Sequence, residues 1–413
     1  MKRFIITSLF LLSSLLFVSC EWLGLDRPDT DEAVEAVPLT LTKAQEAYVT
    51  NGNAFAVKLL AEMEKVSDAP GYFFSPMSLS MALTMLLNGT KGEAYNELGA
   101  VLGYGTDIDI SLVNDYCRQF IERAPTWDPQ VSVSVANALV ANKNYEIKTP
   151  FKATLQESYS AEVSSRDFSR KETLNYINDW CKKQTRGMIP KVLESINPAA
   201  VLYLINAIYF KGAWASPFDP GETKKDVFYC ADGSQQKVDM MHQKIRAQMY
   251  ETNTAQSLVL FFGNGSFSLQ IILPQIDKME ETVFEIATSG WRSFFPGTKE
   301  YTADTFLPTF KQQYSYNLST LPLYNVGIRK ILDGSADFSP ICDSKFGISD
   351  IIHDSAFHLD ESGAEASAVT VMELASAPAP LPVATFRADH PFLYAIVENK
   401  TGAIMFLGKY GGD

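Results

Sequence analysis

Histidine is scarce in this chain: His242, His353, His358 and His390 are the four in 413 residues. That scarcity narrows the chemistry, because histidine is the commonest general base and metal ligand near neutral pH. HExxH is missing, and so are GxSxG, the Walker A pattern and a strand–GxGxxG–helix signature. His353 and His358 stand five apart in an apparent strand, hence on opposite faces, and do not share a metal. Cysteine is sparse as well. Cys20, Cys117, Cys181, Cys230 and Cys342 are scattered without a CxxC, which indicates neither a zinc site nor a disulfide framework. Cys117 and Cys181 have no histidine near them in sequence and read as buried thiols. These absences point away from an enzyme and imply no cofactor and no metal. Internal repeats are missing too, and no linker interrupts residues 45–374, so the chain reads as one large α+β domain.

What is present begins with an address. Lys2 and Arg3 precede the apolar run FIITSLFLLSSLLFV, which is broken by serines and too short for a comfortable transmembrane helix. It ends at Ser19-Cys20, and a small residue followed by Cys is similar to the bacterial lipobox, in which that Cys carries the lipid. Phe17 is bulkier than the usual residue there. The expectation is a signal peptide over 1–19, a lipidated Cys20 with an acidic tether over 20–42, and a domain over 43–413. The tether holds Glu21, Asp26, Asp29, Asp31, Glu32 and Glu35 against Arg27, the composition of a solvated segment. Such a protein is secreted across the inner membrane and held by its lipid on the envelope, at the outer membrane, on its periplasmic or cell-surface side. The formal charge is −13, and loss of residues 1–19 makes it −15. A balance this acidic argues against nucleic acid or an anionic membrane surface as partner.

Local punctuation locates several elements. Helical spacing runs through 41–66, with Phe55, Leu59, Leu60 and Met63 on one face. FFSPMSLSMALTMLLNGT offers Ser75 as N-cap, Pro76 in the first turn and Asn88-Gly89 as the stop. SVSVANALVA and FSLQIILP read as strands, LNYINDWCKKQTRGMIP as a helix, and VLYLINAIYFKGAW, apolar on both faces, as a central buried strand. LPTFKQQYSYNL is expected to leave a strand for a helix.

Residues 361–382, ESGAEASAVTVMELASAPAPLP, behave differently. From 363 to 374 the pattern alternates: Ala364, Ala366, Ala368, Thr370, Met372 and Leu374 share one face, and Glu365 and Glu373 lie on the other. Pro378, Pro380 and Pro382 cannot continue a central strand. Composition alone suggests a linker, but two apolar runs, 391–397 and 403–407, follow as a hairpin with Gly402 in its turn. A lone hairpin is not stable in water. It therefore belongs to the preceding domain, and 375–385 becomes a long loop within one fold.

Together NAIYFKGAWASPFDP (206–220), FFSPMSLSMALTMLLNGTKGEA, VDMMHQ, FSLQIILP, IIHDSAFHLDESGAEASA and DHPFLYAIVENKTGAIMFLGKY resemble the serpins, in the family's order and over roughly residues 43–410. The resemblance implies an α+β fold with a large central sheet, further sheets and about eight or nine helices. It also implies an exposed reactive-centre loop over about 361–385. In that family the loop is bait: an endopeptidase forms an acyl-enzyme on it, and the loop then enters the sheet as an extra strand, dragging and distorting the protease. Carried over by position, Gly363, Ala364, Glu365, Ala366, Ser367 and Ala368 match the hinge, and Trp214 and Glu361 the breach where insertion starts. Ser75, Ser78, Asn206 and His353 match the polar shutter beneath the opening strands. Where the family often has Lys after Leu-Pro, this chain has Leu307-Pro308-Thr309, which takes the usual ion-pair partner from Glu361.

Counting from Gly363 by the family's pattern sets the reactive bond after Ala377, before Pro378, with the Ser376–Ala377 bond one residue away and Ala375 beside it. These side chains are small, and no Arg or Lys lies between Gly363 and Phe386. That implies an elastase-like serine protease as target, with a papain-like cysteine protease second. The protein is expected to act as a monomer whose partners are the protease and its lipid anchor. The rival reading is a non-inhibitory serpin-fold binding or chaperone-like lipoprotein; such members tend to carry bulky, charged or Pro residues at the hinge, and the inner face of 363–370 has none.

Overall fold

The computed structural model describes residues 40–105, 107–297, 299–316, 321–344, 350–364 and 381–412. Helix α1 (Lys43–Val66) starts in a capping box, in which Thr42 Oγ accepts the Gln45 N–H and the Gln45 side chain accepts the Thr42 N–H. The short strand β1 (Tyr72–Phe74) leads to Ser75, whose Oγ accepts the Ser78 N–H at 3.1 Å and caps α2 (Pro76–Leu87). Nearly every residue of α2 is buried, as expected of a helix with little polar face. Then come α3 (Gly92–Val101), α4 (Ile110–Arg123), β2 (Val131–Asn142), α5 (Thr149–Tyr159), β3 (Glu162–Arg166), α6 (Lys171–Gln184) and β4 (Leu202–Ala213). Strands β5 (Lys224–Tyr229), β6 (Gln235–Glu251), β7 (Ala255–Phe262) and β8 (Phe267–Pro274) follow as antiparallel neighbours, then α7 (Met279–Ser289). The remainder is β9 (Glu300–Pro308), β10 (Phe310–Tyr316), β11 (Asp350–Asp360), β12 (Gly363–Ala364), β13 (Val383–Arg387), β14 (Phe392–Glu398) and β15 (Ala403–Tyr410).

Two sheets organise these strands. The nine-stranded one runs β1-β15-β14-β8-β7-β6-β9-β13, with β5 also on β6. The six-stranded one runs β10-β11-β12-β4-β2-β3. The expected C-terminal hairpin is β14–β15, with Gly402 at φ 77° in its turn, and it lies inside the nine-stranded sheet. Residues 310–316 are a strand, not the expected helix. Their alternation buries Phe310 and Gln312, and Gln312 Nε2 donates to the Lys409 carbonyl at 2.9 Å; a tertiary contact decides the conformation.

Each face of β4 packs a different layer. Leu202, Leu204, Ile208 and Phe210 join the main core, with α2 among its elements. Tyr203, Ile205 and Ala207 form a second cluster with Ile177, Trp180 and Cys181 of α6 and Ile352 of β11. The six-stranded sheet is thus covered on both faces across its middle.

Candidate functional site

The site is the seam between β4 and β11. The two strands pair in parallel over 203–207 and 350–354, with Asn206 opposite His353. Higher up, among the described residues, they pair with each other no further. There β12 lies between them, antiparallel to both: Gly363 faces Asp360 and Ala213, and Ala364 faces Leu359 and Gly212. The chain therefore turns at 361–362 and starts back down the seam as a new strand.

Close packing at this entry explains the residue types. Gly363 sits at φ +136°, and a Cβ there would lie 2.1 Å from the Gly212 carbonyl oxygen, so only glycine fits. Ala364 is 1% exposed. Trp214 stacks on Phe262 at 4.6 Å and holds the turn from both of its donors: Nε1–H to the Asp360 carbonyl at 3.0 Å and the backbone N–H to that of Ser362 at 2.9 Å. The Phe218 N–H donates to the Glu361 carbonyl at 2.9 Å. Glu361 does find a partner in the absence of a lysine, since Thr223 Oγ donates to its carboxylate at 2.7 Å. Sequence reasoning missed Thr223, which lies 138 positions away.

The four shutter positions converge under the paired part of the seam, all fully buried. The Ser75 N–H donates to His353 Nε2 at 3.0 Å, Ser75 Oγ donates to the Met405 carbonyl at 2.6 Å, and Asn206 Nδ2 donates to Asn137 Oδ1 at 2.6 Å. Burial pushes His353 down to about 4, so the ring is neutral, with Nε2 accepting and the proton on Nδ1. The cluster is incomplete. Ser78 Oγ, Asn206 Oδ1 and His353 Nδ1 lack hydrogen-bond partners among the described residues. Residues expected to act at Cys20, Glu365, Ala366, Ser367, Ala368, Ala375, Ser376, Ala377 and Pro378 lie outside the described residues.

Comparison with known proteins agrees with this geometry. The family model described as "Serpin (serine protease inhibitor)" matches residues 50–411. The chain belongs to the serpin family. It is 29% identical over 405 residues to alpha-1-antiproteinase of Rattus norvegicus, covering 97% of each chain. It is 30% identical to an uncharacterized serpin-like protein of Thermococcus kodakarensis, covering 89% of this chain and 87% of that one. Among solved structures it resembles the native state of tengpin, a thermophilic serpin, with a TM-score of 0.81 and 26% identity over 92% of this chain and 98% of that one. A thyroxine-binding globulin in complex with thyroxine gives a TM-score of 0.78 and 26% identity, over 88% and 98% of the two chains. The serpin fold is thereby established, with β12 entering between β4 and β11 of the six-stranded sheet. The family's members are generally protease inhibitors, not catalysts, and one of the similar structures is a globulin that binds thyroxine.

Proposed function

We propose that this serpin traps endopeptidases by inserting its cleaved loop into the six-stranded sheet, with elastase-like serine proteases as targets and papain-like cysteine proteases second. The observation that carries the reading is the register of β12. Continued downward, it would set Ala366 between Phe357 and Phe210, and Ala368 between Ser355 and Ile208, on the core side where all four neighbours are buried. Only small side chains suit a strand that must slide between two phenylalanines. The same register brings Thr370 between Asn206 and His353, where its hydroxyl can donate to Asn206 Oδ1 and accept from His353 Nδ1. Insertion would thus satisfy buried polar groups that the uninserted sheet leaves open.

The target assignment rests on Ala375, Ser376, Ala377 and Pro378 around the bond, with no basic residue for a trypsin-like pocket. Incubation with an elastase-like protease should yield a complex that survives denaturing gel electrophoresis, and mass spectrometry of the released C-terminal fragment should place the bond within 374–380. Ala366→Pro should turn inhibitor into substrate, since a proline removes a ladder donor in mid-strand. Cleavage after Arg387 with efficient trypsin inhibition would overturn the target class. A non-inhibitory binding protein would form no such complex with any protease. The address is part of the proposal: Cys20→Ser should move the protein from the membrane fraction to the soluble fraction.

A further inference from the structure

Asp354 belongs to none of the hinge, breach and shutter positions. It follows His353 on β11 and so faces the other side of the sheet, towards α6. It is completely buried, and neither carboxylate oxygen has a hydrogen-bond partner in acceptable geometry among the described residues. Three elements pack against it. From α6 comes Cys181, whose thiol is pushed up by burial and further by the charge of Asp354. From β10 comes Ser315, and from β4 comes Ala207, each directly opposite in register. None of the three is a cation. Burial raises the Asp354 carboxyl to about 7, and Ser315 offsets part of that rise.

We propose that Asp354 sets how firmly β4 and β11 close: protonated, it lets the seam hold, and ionised, it weakens closure and speeds the parting of the strands. The closed seam keeps this carboxyl dry beneath α6. Parting β4 from β11 admits water, and hydration favours the charged form far more than the neutral one. The effect on trapping rests on the insertion reading above. The effect on the intact seam does not.

The pH window follows from the two neighbouring side chains. Between the ordinary carboxyl value of 3.8 and about 7, the closed protein holds a proton at Asp354 that the unfolded chain has released. Its contribution to stability therefore falls as pH rises through that window. His353 works in the opposite sense: depressed from 6.5 to about 4, it contributes stability that is lost as pH falls through that interval. The two oppose each other over much of the acidic range, so a scan of the unaltered protein alone conceals both. A difference against Asp354→Asn isolates the carboxyl.

The experiment is thermal unfolding of the intact full chain and of Asp354→Asn from about pH 5 to about pH 8.5 at fixed ionic strength. The variant should melt progressively higher than the unaltered protein as pH rises, by about 5 °C near pH 8, and the gap should level off above about pH 7.5. Asp354→Ser should show the same widening, and Cys181→Ser should keep the unaltered trend because that thiol stays protonated throughout. A gap independent of pH, or one that shrinks as pH rises, overturns the proposal. With a small-residue-specific serine protease, the Asn variant should release about threefold more cleaved, untrapped inhibitor near pH 8, and the excess should vanish near pH 5.5. If the unaltered protein traps no protease, the insertion reading fails while the melting gap still decides the role of Asp354.

Discussion

Glu398 and Asp354 are both buried carboxylates at strand positions, and the protein treats them in opposite ways. Glu398 closes β14 at 4% exposure and accepts the N–H groups of Lys400 and Thr401, each at 2.8 Å, along with the Thr401 hydroxyl. Its strand is paired on both edges, with β15 and β8. Asp354 has no comparable set of donors, and its strand meets β4 over five register pairs, at 350–354. The difference extends beyond one residue. Of the ten buried side-chain atoms without a partner among the described residues, five belong to Ser78, Asn206, His353 and Asp354 at the seam. Each such atom costs about 1–3 kcal/mol relative to a satisfied one. The nine-stranded sheet holds the molecule together around β14, whereas the seam of the six-stranded sheet is held below its possible stability. Under the proposed insertion, the location of the deficit, and not its mere existence, is what would fit this seam to take in a strand.

The largest test of that contrast is to cut the loop. Cleavage within 374–380 should raise the melting temperature, although a nick ordinarily weakens a protein. About ten further residues paired on both edges would form about twenty backbone hydrogen bonds at about 1 kcal/mol each, against about five given up where β4 and β11 now pair directly. Ordering them costs about 1–2 kcal/mol per residue, and burial of their apolar side chains adds to the gain. A net rise of several kcal/mol, or of order 10 °C, is expected by differential scanning calorimetry. Equal melting of intact and nicked protein would leave the seam as an ordinary sheet junction.

Next in size is a change at the satisfied carboxylate. Glu398→Gln places an NH2 against a backbone N–H that now donates to a carboxylate oxygen, and should cost about 1–3 kcal/mol. Because β14 takes no part in insertion, intact and cleaved forms should lose equally. Asp354→Asn should instead stabilise the intact form. If both variants shift intact and cleaved protein alike, the two regions do not differ in the way argued.

Much of this was legible in the sequence because it is local. Ser75-Pro76 before an apolar run is a helix start whatever surrounds it, and Gly402 after a strand-like run marks a hairpin turn. The alternation from Gly363 onward pointed to a strand, and the resemblance to the serpins implied that its small face enters a closed sheet. The entry of that strand is seen at Gly363 and Ala364. What escaped is tertiary. FKQQYSY carries glutamines and tyrosines that suit helix or strand, and the choice is made by neighbours such as the Lys409 carbonyl. Thr223 reaches Glu361 from a distant loop, which no spacing rule anticipates. Asp354 reads in the sequence as a polar residue in a strand, and α6, more than 150 positions earlier, is what makes it dry. Charge is visible in a sequence; desolvation is not.

The finest test asks whether the open valences under the seam are matched to the incoming strand. If the register of β12 continues, the hydroxyl of Thr370 arrives between Asn206 Oδ1 and His353 Nδ1, both unpartnered among the described residues. Thr370→Val keeps shape and branching and removes only that hydroxyl. In the intact protein neither group has a partner among the described residues, so its melting temperature should hardly change. In the cleaved protein the valine would seal them away from water without a partner, and about 1–3 kcal/mol should be lost. The rise on cleavage should therefore shrink in the variant by a few degrees. Ser367→Ala, one residue of the opposite parity, points to the α6 side in the same register and should not reproduce the loss. Equal rises for Thr370→Val and the unaltered protein would mean that insertion stops short of the shutter or runs in another register, and the orphaned groups would then need a different role.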